Sequence, residues 1–408
     1  VSRVFHLSSS LRAEPLEVTH ARARSLAAQL DITRVTEITR LDIVGVPVFA
    51  SIRPGALPGS LCVNAGKGMS VAEARVGAYM EAIEFAFAEF GCSALNLRTV
   101  PASEVFEGAE RADSILDFCP IMGAEIELDA PVTCVEAADV RTNESFLVPC
   151  ELVYLPFPES IKTGRYFSSN SNGLCSGNSI LEATVHGLAE LIERDCASFM
   201  FVDDRSELVA ANTLPSHLRE IAKRVHDAGL ELYVRFQANV FDIPFFRAIV
   251  AEQQSTNPVY ISEGFGCNFS RDIAATRAVC EALQSRLSFI HGGRDDLIKR
   301  YDLFAEMSDG ERTDYAERLQ RDVSRRDAII DFEEIPDHSG GVTGLSSALE
   351  LMLRMLERNG IRRVLRVVFT PPDHELHVLR VLAPGLECFS PASARIGVRL
   401  RDYVRDRL

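Results

Sequence analysis

The chain has 408 residues, 47% of them hydrophobic, with 43 Lys+Arg against 58 Asp+Glu for a formal net charge of −15. That length suits one large domain or two ordinary ones with a sizeable core, and the acidic balance argues against nucleic-acid or anionic-membrane binding, though not against a basic peptide partner. The ten cysteines form no CxxC pair and no apolar run reaches about 18 residues, so we expect buried reduced thiols in a soluble cytoplasmic protein without a spanning helix.

Residues 16–30 are predicted to form an amphipathic helix. The stretch 41–54 begins as a strand and ends at Pro54. A Gly/Pro loop, 54–68, leads into a helix over 74–90 that is apolar on nearly every side, from Ala74 and Val76 to Phe85 and Phe87. Such a helix is a buried one, yet it carries Glu81 and Glu84 one turn apart. Residues 100–165 hold short β-like runs, "PVTCVEAADV" and "SFLVPCELVYLPF", split by Pro and Gly. A polar loop, 167–178, precedes a second oily helix reaching about Phe201. "LELYVRFQANVF" and "FFRAIVAE" alternate like strands, and a third loop, 262–270, precedes a helix over 271–290. The charge-rich stretch 300–330 reads as a solvated helical excursion, and "RRVLRVVFT" and "LHVLRVLAPGLE" as closing strands. Strands mixed with helices place the chain in the α/β (mixed α+β) class.

The loop–helix units are repeats. Residues 68–84, "GMSVAEARVGAYMEAIE", match 177–193, "GNSILEATVHGLAELIE", at eight of seventeen positions without a gap. A third stretch, 268–284, keeps Ser270, Ala274 and Glu281 in register and replaces the last Glu by Gln284. At about 100° per residue, Glu182, His186, Glu190 and Glu193 share one helix face, and Glu73, Gly77, Glu81 and Glu84 the matching one. An acidic stripe is ordinarily solvated, but here the flanks are apolar. Unpaired buried carboxylates cost several kcal/mol per ion, on the order of what a fold can ill tolerate. They must be protonated, paired with Arg or Lys, or bound to a metal, and converging carboxylates suit Mg²⁺ or Ca²⁺. Helix N-termini with Gly and Ser offer free N–H groups to phosphate. Lys67 adds charge there, and Arg194, Arg277 and Arg286 lie beside the later motifs. "GKG" fits neither a Walker A loop nor a dinucleotide fingerprint.

These motifs, "GKG…YMEAIE", "SNGLCSGNSILEATVHGLAELIERD" and "RAVCEALQSR", resemble the YcaO proteins, ATP-dependent enzymes that activate backbone amides. The resemblance implies a YcaO-type fold of pseudo-repeated loop–helix ExxE modules around a central ATP/Mg²⁺ site. It divides the chain into an N-terminal extension, 1–55, packed on a catalytic domain, 56–408. By position, Glu81, Glu84, Glu190, Glu193 and Glu281 are expected to hold metal. Arg12, Thr19, Lys67, Ser70, Asn178, Glu182, Arg194, Arg277 and Gln284 are expected to contact ATP. Gly77 stands where the family usually has Ser, so the resemblance implies that one hydroxyl contact is missing or replaced by water.

The azoline-forming members usually end in PxPxP, whereas this sequence runs to "GVRLRDYVRDRL" with no proline after Pro391. The N-terminal segment looks more like members that work beside a TfuA-type partner and put sulfur into an amide. The resemblance therefore implies a peptide or protein substrate, a TfuA-like partner and, at the family level, a homodimer. The expected reaction is O-phosphorylation of an amide, followed by attack of sulfide at carbon to give a thioamide. Azoline or amidine cyclodehydration and a non-catalytic ATP-binding scaffold are the alternatives. No residue stands out as general base. His186 lies on the acidic face as a candidate, and Cys175 is a candidate sulfur relay, although free cysteines such as Cys175 and Cys196 are ordinarily small core residues.

Overall fold

The computed structural model describes residues 5–6, 10–106, 114–252 and 261–407. Three of its sheets share one plan: each ends in a short strand that runs straight into a long helix. The first sheet orders Arg34–Glu37, Val48–Ile52 and Val63–Lys67, all antiparallel. The second orders Arg98–Pro101, Pro131–Asp139, Leu365–Val368, His377–Leu382 and Leu174–Gly177, with Ser145–Pro149 paired to Pro131–Asp139. The third orders Ser262–Cys267, Phe245–Glu252, Leu230–Phe236, Glu207–Val209 and Ile329–Ile330, the last pair parallel. The end strands Val63–Lys67, Leu174–Gly177 and Ser262–Cys267 lead into helices Val71–Ala88, Ile180–Val202 and Arg271–His291. We call these strand–helix pairs the three modules.

Each of the three stretches expected to be a polar loop therefore contains a strand. Their small and polar residues hid them, and the structure shows what the small residues are for. A Cβ on Gly66 would lie 2.1 Å from the Ala74 carbonyl oxygen and from the Ala78 nitrogen. One on Gly266 would lie 2.0 Å from the Ala274 oxygen. Strand and helix touch backbone to backbone there. In the second module the bulk is exchanged: Cys175 stands where the first has Gly66, and Gly187 stands where it has Ala78. A Cβ on Gly187 would fall 2.5 Å from Cys175 Sγ. Cys175 is thus a packing residue, fully buried, with its thiol donating to Leu379 O at 3.5 Å.

The three helices begin alike. Ser70, Ser179 and Ser270 each accept the N–H three residues on, satisfying a donor the helix leaves free. Each helix then buries its apolar side in a separate cluster. The first sets Ile83 and Phe85 against Val135, Leu365 and Val378. The second sets Leu188, Ile192 and Met200 against Met352 and Leu356. The third sets Val279 and Leu283 against Leu218, Val234 and Ala248. Their acidic faces are left pointing the other way. The expected first helix is Leu16–Gln29, packed on the first module helix, and the charge-rich excursion is the pair Ile298–Glu306 and Asp309–Ser324. Among the described residues no helix is long and apolar enough to cross a membrane.

Candidate functional site

The modules close on one another in a cycle. The first helix packs on the second module's strand, the second helix on the third strand, and the third helix on the first strand. The last residue of each ExxE/Q motif makes that handover. Glu84 accepts from Ser176 Oγ at 2.5 Å, Glu193 accepts from the Cys267 N–H at 3.0 Å, and Gln284 Nε2 donates to Ala65 O at 2.6 Å. The first Glu of the motif turns back to its own strand: Glu81 accepts from the Ala65 N–H at 3.2 Å and Glu281 from the Phe265 N–H at 3.5 Å. The third motif ends in Gln for a physical reason: a carbonyl needs a donor, and a carboxylate has none to give.

Gln284→Glu tests this directly. The new carboxylate faces a buried carbonyl and must hold a proton to fit, so its folded pKa is raised. Stability from the protonated form is present at low pH and lost as pH rises through the folded pKa. The melting temperature should match the parent near pH 5 and fall below it by about 1–3 kcal/mol equivalent at pH 8. A constant difference across that range would refute the donor role.

Between the three acidic faces lies a cavity of about 810 Å³. Its wall includes Glu73, Gly77, Glu81 and Glu84 from the first helix, Glu182, His186, Glu190 and Glu193 from the second, and Arg277, Glu281 and Gln284 from the third. The faces read from sequence spacing thus converge. Arg12, Thr19, Lys67 and Arg194 join them. Two expected contacts do not. Ser70 stands outside the wall as the cap of its helix, inside a capping box with Glu73. Asn178 also stands outside, bonded to Thr19, Arg22 and Glu182. Glu182 is buried and accepts from Arg12 Nη1 at 3.1 Å and the Ala13 N–H at 3.0 Å, so it ties down the N-terminal segment.

Burial pushes Glu81 and Glu193 above the usual carboxylate range, Glu84 up to about 8 and Glu190 up to about 7. The charges of Glu81 and Glu190 add to the shift at Glu84, and Ser176 opposes it. At Glu281, burial is outweighed by Lys67, whose Nζ lies 2.6 Å away, and by Arg194, so this group is held below the usual range. Among the described residues Glu190 accepts no hydrogen bond, and its nearest cation is Arg194 Nε at 3.9 Å. Its own strand does not serve it, because the Leu174 N–H is taken by Ser171 O. Burial, then Arg12, Arg277 and Lys67, push His186 well below its ordinary value, so the imidazole stays neutral.

This donor set fits a nucleotide with Mg²⁺. Protonated carboxylates become ligands when a hard cation replaces their protons. On the cationic side, Arg277 Nε is buried with no partner among the described residues, beside Lys67 and Arg194, which suits a phosphate oxygen. Three further participants escaped the sequence reading. Ser176 holds Glu84 from a stretch that looked like loop. Arg294 lines the wall and pairs with Asp296 at 2.8 Å. It lies beyond the last motif, where no pattern marks it. Arg380 is fully buried behind Glu190 and donates to the carbonyls of Val153, Asn170 and Asn172, fixing the loop that lines the cavity. Its signal was a lone Arg in the apolar strand "HVLRVL".

Comparison with known proteins agrees with this geometry. A family model described as YcaO cyclodehydratase, ATP- and Mg²⁺-binding, matches residues 65–387. An uncharacterised protein of Methanothermobacter thermautotrophicus is 31% identical over 92% of this chain and 95% of its own length. An uncharacterised Rhizobium leguminosarum bv. trifolii protein in a tfuA 3′ region is 29% identical over 95% of this chain and 91% of its own. In fold, the chain is similar to YcaO from Methanopyrus kandleri bound with AMPPCP and Mg²⁺, with a TM-score of 0.74 at 20% identity over 97% of both chains. It is also similar to a heterocyclase in complex with substrate and cofactor, with a TM-score of 0.76 at 18% identity over 95% of this chain and 54% of that one. With its three modules closed around one acidic cavity and the family's sequence pattern running through them, the protein belongs to the YcaO family.

Proposed function

We propose that this protein uses ATP to phosphorylate the oxygen of a backbone amide in a peptide or protein, and that sulfide then adds at the carbon while the C–O bond breaks and inorganic phosphate leaves, giving a thioamide. The observation that carries the activation step is the convergence of carboxylates from three modules with Lys67, Arg194 and Arg277 on one cavity. Phosphoryl transfer asks a protein for positioning and charge neutralisation, and these side chains supply both. When bound, Mg²⁺ neutralises the phosphate oxygens and ATP supplies the phosphoryl group. Lys67 and Arg277 would hold the phosphates, and Arg12, bonded to Glu182, fastens the N-terminal segment at the cavity wall. His186, neutral and half-buried, serves as a hydrogen-bonding wall and not as a base.

The sulfur step draws support from the Rhizobium relative in a tfuA 3′ region, which points to a TfuA-like partner. Hydrosulfide arrives already ionised, so its addition asks no base of the chain, and the proton left on sulfur passes to the departing phosphate. The cyclodehydratase description of the family and the heterocyclase likeness favour the second reading, ring closure by a substrate side chain. One experiment separates them: incubation with ATP, Mg²⁺, sulfide, the TfuA-like partner and peptides encoded beside the gene. Thioamide formation adds about 16 Da and requires sulfide, whereas cyclodehydration removes about 18 Da and does not. ATP consumption with neither mass change would overturn both.

A further inference from the structure

A second, much smaller cavity of about 50 Å³ lies behind the first, and Asn170 lines both. Cys119 and Cys388 share its wall, brought together from distant parts of the chain. The Cys119 thiol donates toward Leu386 O at 3.2 Å and Glu387 Oε2 at 3.7 Å, in the segment that carries Cys388.

Three features separate this pair from the other cysteines. Cys119 sits at φ +51°, a left-handed backbone uncommon outside glycine. Arg395, buried in the same wall, spends its hydrogen bonds on the carbonyls of Cys119, Phe118 and Ser168. Among the described residues it has no carboxylate at ion-pair distance, and Glu387 is already committed to the N–H groups of Gly397 and Leu400. A buried guanidinium charge is therefore left beside two thiols. Cys388, finally, is only half-buried, so a small reactant can reach it.

We propose that Cys119 and Cys388 are a redox-active dithiol that closes to a disulfide, with Cys388 the attacking sulfur and Cys119 the resolving one. The co-reactant is a small-molecule disulfide. The Cys388 thiolate attacks one of its sulfurs, forming a mixed disulfide and expelling one thiolate. Cys119, on losing its proton, attacks Cys388 Sγ and expels the second. One dithiol and one external disulfide become one internal disulfide and two thiols. Electrostatics agree with these roles: the neighbouring Cys119 thiol and the Arg395 charge hold Cys388 below the ordinary thiol range against burial and the charges of Glu387 and Asp195, while Cys119 is pushed up. The other cysteines are pushed up as well, mostly by burial. This chemistry stands apart from the amide reaction and survives that reading's failure.

The test treats the full chain with oxidised glutathione and maps thiols by mass spectrometry without reduction. The expected product joins the Cys119 and Cys388 peptides at about 2 Da below their summed mass. Cys119→Ser should trap glutathione on Cys388, and Cys388→Ser should leave Cys119 unmodified. In the untreated parent, iodoacetamide at pH 7 should label Cys388 at least about tenfold faster than the exposed Cys92. Glutathione on Cys62 and Cys92 with no Cys119–Cys388 link, or equal labelling of Cys388 and Cys92, would overturn the proposal.

Discussion

Glu190→Gln should lower ATP turnover by roughly 10²–10³-fold while leaving the fold intact. The two expectations come from the same observation. Glu190 accepts no hydrogen bond among the described residues, so removing its charge costs only the long ion pair to Arg194 Nε at 3.9 Å. Burial pushes Glu190 up to about 7, so the metal-free protein favours the protonated carboxyl far more than an exposed Glu does, a state the amide mimics. The sign on stability follows. A carboxylate whose folded pKa is raised stabilises the fold fully at low pH, and that stability is lost as pH rises through about 7. Without metal, the variant should therefore melt at or above the parent temperature at pH 8. A coupled ADP assay with a thermal melt checks both. Turnover within about threefold of the parent would place Glu190 outside the phosphate chemistry. Retained partner binding with no turnover in the parent would favour the scaffold alternative.

Gly66→Ala should be among the most damaging single-methyl changes for stability, at about 3 kcal/mol or more. The added carbon would stand 2.1 Å from two backbone atoms of the first module helix, neither of which can rotate away. Strand and helix must separate, and Ala65, which receives Gln284 and serves Glu81, moves with them. The loss should thus reach nucleotide binding as well as melting. Gly55→Ala is the control: a Cβ there meets nothing within 4 Å, and the change should stay within about 0.5 kcal/mol. Equal melting of the two variants would show that the close approach is not what holds the module together.

Most of the site was legible because helical spacing is a local rule. Glu182, His186, Glu190 and Glu193 share a face whatever the rest of the fold does, and the apolar flanks said that face had to be satisfied from within. The three module strands were not legible. "VNAGK", "LCSG" and "SEGFGC" hold one β-branched residue, Val63, and one aromatic, Phe265, between them, too few to announce three strands, because each lies flat against its own helix, where a larger side chain at the contact would collide. Ser70 carries a related ambiguity: a serine before a helix can meet a phosphate or cap the helix, and its side chain caps the helix in this structure. The cyclic handover was beyond local reading, since it depends on which sheet edge comes to lie beside which helix. The exchange of Gln284 for Glu was its one trace in the sequence, interpretable only once its acceptor, Ala65 O, was known.

The most direct measurement is calorimetric titration of the metal-free protein with ATP, with and without Mg²⁺, in buffers of different ionisation enthalpy. Uptake should require Mg²⁺. With Glu84 raised to about 8 and Glu190 to about 7, binding at pH 7 should release about one to two protons per nucleotide. Uptake that ignores Mg²⁺, or Mg²⁺-dependent uptake with no proton release, would contradict the claim that cations take over these carboxylates to hold the nucleotide.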